Sequence, residues 1–247
     1  MRFAVALAAT AAWPPSSSLR HVPSRCDLVT RIADDADLLE SSRFFEHVAS
    51  VVATCMFAPR SKAEAETFSR ETKANLVDLF AGARRRLPVV GRSALIVAED
   101  NGRLVGSCGL QILSLTPDGR GESLLSSLPR ESRRTMSLRP LLSNVAVLPE
   151  YRRRGIGSSL VADGEALARE WGFDEMLLLV NAENAGAQAL YSSRGYRIQG
   201  GPLDAEECAT AWYLGGGITW QPCKNVCMRR VGLLHAAGAA GTGEVKL

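Results

Sequence analysis

The stretch that decides the fold runs from Leu141 to Val161, LLSNVAVLPEYRRRGIGSSLV. Its first half, Leu141 to Leu148, is β-prone and apolar, and Pro149 closes it. Its second half opens a helix: Ile156, Leu160, Val161, Leu167, Ala168 and Trp171 recur on one helical face, and Gly172 stops the run. Glu175 to Val180 (EMLLLV) then reads as a buried strand. A strand, a crossover helix and a strand must place the two strands parallel in one sheet.

Upstream, Ser93–Asp100 and Leu104–Leu113 are strands joined by Asp100-Asn101-Gly102, a hairpin signature that demands antiparallel pairing. Asp27 to Ala33 is short and β-prone. Leu38 to Phe57 carries Leu39, Phe44, Val48, Val51, Val52 and Met56 at helical spacing. Ser61 to Arg86 forms a second helix with a capping box at Ser61 and Glu64. Downstream, Asn184 to Arg194 is helical, Gly195 stops it, Tyr196 to Ile198 starts a strand, and Val226 to Val231 is the last one. The sum is one α/β domain over 27–231, a mixed sheet flanked by helices. Residues 114–140 lose periodicity and collect Gly, Pro, Ser and Arg, which marks an insert. Residues 232–247, rich in Ala and Gly, read as a flexible tail.

Composition narrows the chemistry. The chain has 247 residues, 46% hydrophobic and 22% charged, enough apolar content for a packed core. Three of its 29 basic residues lie in 1–26, and the remaining 26 balance 26 acids, which argues against nucleic acid as a specific partner. No stretch reaches the ~20 apolar residues of a spanning helix, so no membrane is expected for the mature form. Six scattered cysteines and three histidines match no zinc, redox or hydrolase pattern, and no metal is expected.

Residues 1–26 read as an address. Phe3 to Ala12 is an apolar run after one Arg, with small residues around Ala11 and Ala12, and the following SSSLRHVPSR is rich in Ser and Arg and free of acid. A signal followed by a transit-like stretch is similar to the bipartite plastid presequence of algae with secondary plastids. The expected location is the plastid stroma, with the cytoplasm as the alternative.

The turn Arg152-Arg153-Arg154-Gly155-Ile156-Gly157 lies between a strand and a helix start. A helix N-terminus offers orphan N–H groups and a positive dipole, Gly155 and Gly157 allow close approach, and the arginines add attraction; together they suit a diphosphate. A dinucleotide fingerprint would need a third glycine where Leu160 stands, and a triphosphate loop would need Gly-Lys-Ser/Thr, which is absent. The diphosphate of coenzyme A and a purely structural turn stay open on these residues alone.

Context resolves the choice. Arg152, Gly155 and Gly157 match the Gln/Arg-x-x-Gly-x-Gly/Ala signature of the GNAT (general-control-related N-acetyltransferase) family. A second family signature follows at the right remove in Asn181, Asn184, Ala185, Ala189-Leu190-Tyr191 and Gly195-Tyr196. The segment from about 93 to 200 resembles that family well, and its wording is similar to the plastid-targeted branch of plants and algae, whose members are thought to acetylate protein N-termini and lysines.

The resemblance implies a single GNAT-like domain, with a mixed, mostly antiparallel sheet, and acetyl-CoA as co-substrate. It implies that Val145, Ala146 and Val147 pair with the pantetheine arm. Arg153, Arg154, Gly155, Ile156, Gly157 and Ser158 would hold the diphosphate with Arg152 beside them, and Asn184 would reach the cofactor from the next helix, where it can equally be a cap. Tyr191 would be the general acid for the departing thiolate. The acceptor would be a protein or peptide amine, attacking directly. No base is identified, since Glu150 is expected at solvent and Asn144 does not titrate. Acetylation of a polyamine or aminosugar, or a non-catalytic acetyl-CoA sensor, are the alternatives.

Overall fold

The computed structural model describes residues 28–34, 37–38, 42–57, 59, 61–81, 92–121, 131, 134–203, 209–213, 218–222 and 224–235. The expected presequence, the middle of the insert and the tail beyond 235 lie outside the described residues. Chain order is β1 (Leu28–Ile32), α1 (Ser42–Phe57), α2 (Lys62–Leu76), β2 (Ser93–Asp100), β3 (Arg103–Leu115), β4 (Ser137–Val147), α3 (Ile156–Glu170), β5 (Glu175–Asn181), α4 (Ala185–Ser193), β6 (Arg197–Leu203), β7 (Ala209–Tyr213), β8 (Ile218–Pro222) and β9 (Asn225–Val231).

Seven strands form one sheet in the order β1-β2-β3-β4-β5-β9-β6, and β7 pairs with β8 separately. All pairings are antiparallel except β4 with β5, the pair that the crossover through α3 requires. The expected mixed, mostly antiparallel sheet is therefore the observed one.

Alternating side chains divide the interior into two layers. Leu95, Val97, Ala146 and Leu148 face α1 and α2, against Phe44, Phe45, Val48, Val52 and Leu76. Ile96, Ala98, Leu110, Leu142, Leu178 and Met228 face α3 and α4, against Ile156, Leu160, Val161, Ala168 and Tyr191. Ser61 Oγ accepts from Glu64 N–H at 3.1 Å and starts α2 as its sequence indicates. A π-turn at Val77–Ala81 follows α2 and brings Phe80 down onto the sheet.

Three boundaries differ from the expectation. The expected tail starts at 232, but Leu233 is buried in the core with its N–H donating to Asp174 O at 3.0 Å. Strand β3 runs on to Leu115 and β4 begins at Ser137 rather than Leu141, so strand occupies both ends of the expected 114–140 insert. Pro140 disguises that start. It sits one residue before the pairing with β5 begins, so its missing N–H removes nothing from that ladder. The β7–β8 hairpin was not anticipated at all.

Candidate functional site

The site opens where β4 leaves β5. The two strands pair only at Leu141↔Leu177 and Leu142↔Leu178, although β4 continues to Val147 and β5 to Asn181. Register against β3 shifts between Ser107 and Gly109, and Asn144 lies in the left-handed region at φ 51°. An extra residue in one strand bends it and sharpens its twist, which here carries β4 away from β5. The β5-facing edge of β4 beyond Leu142 is left without a strand partner.

Backbone direction selects which residues use that edge. Leu148 N–H donates to Val105 O at 2.9 Å, so alternation turns the polar groups of Ala146 toward β3 and those of Val147 toward the open side, while Val145 lies in the bulge itself. This narrows the expectation that Val145, Ala146 and Val147 all offer backbone groups: Ala146 spends its own on the ladder with Ser107. Val147 O accepts from Arg152 Nε at 3.0 Å, which folds the arginine back over the edge. Cys55, on α1, reaches the same spot; burial raises its thiol pKa, while Arg152 and the Val147 backbone pull it down.

A single 3-10 turn, Pro149–Tyr151, leads from β4 to the arginines. Arg154 stacks 5.0 Å above Tyr151 and donates to Glu150 O at 3.2 Å, while Arg153 takes φ 64°. The turn is thereby fixed before α3 begins. Gly155 is the N-cap of α3 at φ 84°, offers no side-chain cap, and has open space where a Cβ would stand. Helices α2 and α4 start differently, with Ser61 and Asn184 accepting from N–H groups of their first turns. Among the described residues, the first N–H groups of α3, on Ile156, Gly157 and Ser158, thus have neither an intrahelical nor a side-chain partner. They form a cradle for an anion.

Helix α4 closes the other side. Leu190 Cδ2 lies 3.4 Å and Val147 Cγ2 3.9 Å from the Cβ position of Gly157, so β4, α3 and α4 converge at that glycine. Asn184 Oδ1 accepts from Ala187 N–H at 3.0 Å, the cap role its sequence allowed. Tyr191 is 7% exposed and meets Tyr196 edge-on with ring centroids 5.9 Å apart. Burial first, then the neighbouring Cys108 thiol, push the Tyr191 hydroxyl pKa well above its ordinary value. Cys108 is the β3 residue skipped by the register shift, so Tyr191 lies near the bulge. Glu150 is exposed, its carboxylate 3.4 Å from Arg103, and its charge adds to the rise of the Cys55 thiol pKa.

Sequence reading missed two groups here. Cys55 carries no signal. Glu165 carried one: it sits on the apolar face of α3, three before Ala168 and four after Val161, and a carboxylate there needs a buried partner. Its partners are Arg194, at 2.5 and 3.3 Å, and Arg230, at 2.7 Å.

An uncapped helix start thus lies beside a strand whose pairing with β5 stops at Leu142, with the buried Tyr191 on the neighbouring helix. The sequence profile of the acetyltransferase (GNAT) family matches residues 58–196, and the chain belongs to that family. The Arabidopsis thaliana protein "GCN5-related N-acetyltransferase 4, chloroplastic" is 39% identical over 83 residues, 34% of this chain and 28% of the relative. "GCN5-related N-acetyltransferase 7, chloroplastic", of the same plant, is 38% identical over 58 residues, 24% of this chain and 21% of the relative. The matches thus span less than a third of either relative. The crystal structure of PH1933 from Pyrococcus horikoshii OT3 superposes with a TM-score of 0.51 at 14% identity, over 83% of this chain and 98% of that one, and shares the fold.

Proposed function

We propose that the protein is a plastid N-acetyltransferase that moves an acetyl group from acetyl-CoA to protein N-terminal α-amines or lysine side chains, with Tyr191 as general acid. The observation that carries this reading is the uncapped start of α3 beside the open edge of β4. One cradle accepts a diphosphate and the adjoining edge accepts an extended amide chain, the two recognisable parts of coenzyme A. Acetyl-CoA supplies an activated thioester when bound.

The chain's own groups do the rest. The N–H groups of Ile156, Gly157 and Ser158 bind the diphosphate, with Arg153 and Arg154 adding positive charge. Val145 and Val147 orient the pantetheine arm; Arg152 and Cys55 release the Val147 backbone when it arrives. The amine forms its C–N bond as the C–S bond breaks, and Tyr191 gives its proton to the departing sulfur. Burial keeps the Tyr191 hydroxyl protonated at working pH, so the proton is in place to give. With Glu150 held at the surface by Arg103, solvent takes the amine's proton, and orientation supplies much of the rate.

The chloroplastic names of the Arabidopsis relatives and the composition of residues 1–26 support the plastid location. The protein acceptor follows from the resemblance to the plastid branch. The purified chain, incubated with acetyl-CoA and a mixed peptide pool, tests the acceptor by mass spectrometry. Acetylated α-amines or lysines that vanish in Tyr191→Phe support the reading. Tight acetyl-CoA binding without peptide modification redirects it to small amines, and inactivity toward these as well leaves the sensor.

A further inference from the structure

Among the described residues, Glu165 is the most deeply buried carboxylate, and the transfer reaction leaves it unused. Glu165, at the middle of α3, is 3% exposed. Its Oε1 and Oε2 accept from Arg194 Nε and Nη2, and Oε2 also meets Arg230 from β9 at 2.7 Å. Arg194 has one nitrogen left over, Nη1, and it donates to Ser158 Oγ at 3.0 Å. A single guanidinium therefore bridges the core of α3 to its first turn, spending its fork on the carboxylate and its remaining arm on the hydroxyl.

The consequence lies in the hydroxyl proton. A serine oxygen has one proton to give and lone pairs to accept with. When Oγ accepts from Arg194, the O–H is left to donate elsewhere, and Ser158 sits in the first turn of α3, whose N–H groups open toward the helix start. That start is the uncapped mouth of α3. The charged partner also polarises the hydroxyl and makes it a stronger donor.

We propose that Arg194 is a positioning residue for acetyl-CoA: held by Glu165, it aims the Ser158 hydroxyl as a donor to the coenzyme's diphosphate. This rests on the acetyl-CoA reading above. Arg194 also caps α4, its N–H donating to Tyr191 O at 3.0 Å. The group that organises the diphosphate cradle thus belongs to the turn that fixes the general acid, and the two ends of the site share one brace.

Arg194→Lys is the informative variant, because lysine keeps a cation for Glu165 but cannot reach Glu165 and Ser158 together. Binding to the full chain is measured by calorimetry with acetyl-CoA and with S-acetylpantetheine, which lacks the diphosphate. Arg194→Lys and Ser158→Ala are each expected to weaken acetyl-CoA about tenfold, the double variant no more than either, and Ser158→Thr, which keeps the hydroxyl, far less. S-acetylpantetheine is expected to bind all of them equally. Equal weakening of both ligands in Arg194→Lys, or a roughly hundredfold multiplied loss in the double variant, overturns the proposal. Wild-type protein that binds neither ligand overturns the acetyl-CoA reading itself, a result distinct from both.

Discussion

At the scale of single residues, burial decides what Tyr191 can do. Its pKa rises because the ionised form loses water and faces the Cys108 thiol, so the protonated form persists above the ordinary tyrosine value of about 10. The sign has a kinetic consequence. The profile of kcat/KM for the wild type should climb with pH as the acceptor amine loses its proton, and show no fall from the acid below about pH 10. Tyr191→Phe should lower kcat about 100-fold or more and leave acetyl-CoA affinity within twofold, since the ring and its contact with Tyr196 remain. Equal loss in kcat and in affinity would make Tyr191 a binding residue instead. Gly155 separates strain from charge in the same way. At φ 84° with open space at its Cβ, Gly155→Asn should fold, asparagine tolerating that conformation, and should bind acetyl-CoA weakly. Gly155→Asp, close to isosteric but anionic, should show no measurable binding in the same titration.

At the scale of elements, β4 explains both what the sequence revealed and what it hid. The strand–helix–strand pattern from Leu141 to Val180 was legible because each element buries a face with its own period, and the parallel pairing of β4 with β5 follows from connection alone. The start of β4 was not legible, because Ser137, Arg139 and Pro140 look like loop. Arg139 is in fact buried at 8%, its guanidinium paired with Glu175 of β5, a contact between residues 36 apart that no local pattern encodes. The bulge was equally hidden, since Asn144 inside LLSNVAVL reads as one more strand residue. Its positive φ makes it testable. Asn144→Gly should leave stability and acetyl-CoA binding close to wild type. Asn144→Val places a β-branched side chain in the left-handed region and should cost about 1–2 kcal/mol or more, seen as a lower midpoint in urea. If the chain relieves that strain by flattening the bulge, β4 can pair further along β5 and binding is lost as well. A valine variant that binds normally would show that the open edge does not depend on the bulge.

At the scale of the whole molecule, the sheet separates two jobs. The layer over α3 and α4 carries the cradle, Tyr191 and the Glu165 brace, whereas the layer over α1 and α2 carries none of them. Sequence periodicity found the helices of both layers but could not say how they meet the sheet, because that depends on single close approaches. The tightest is at Gly109 of β3, where an added Cβ would stand 2.2 Å from Phe80 Cζ and 3.1 Å from Ser143 Oγ. Phe80 is 1% exposed, so the ring cannot step aside without moving the π-turn that carries it. Gly109→Ala should therefore cost about 1–3 kcal/mol, as overpacked cores do, and lower Tm by roughly 2–4 °C per kcal/mol in a chain of this size. The lost stability should come from the α1–α2 layer alone. Acetyl-CoA affinity, measured well below Tm, should stay within about threefold, because the cradle hangs from the opposite face. A large loss of affinity would mean that strain at Gly109 passes through Ser143 into the bulge at Asn144, joining the two layers at the one point where β4 is bent.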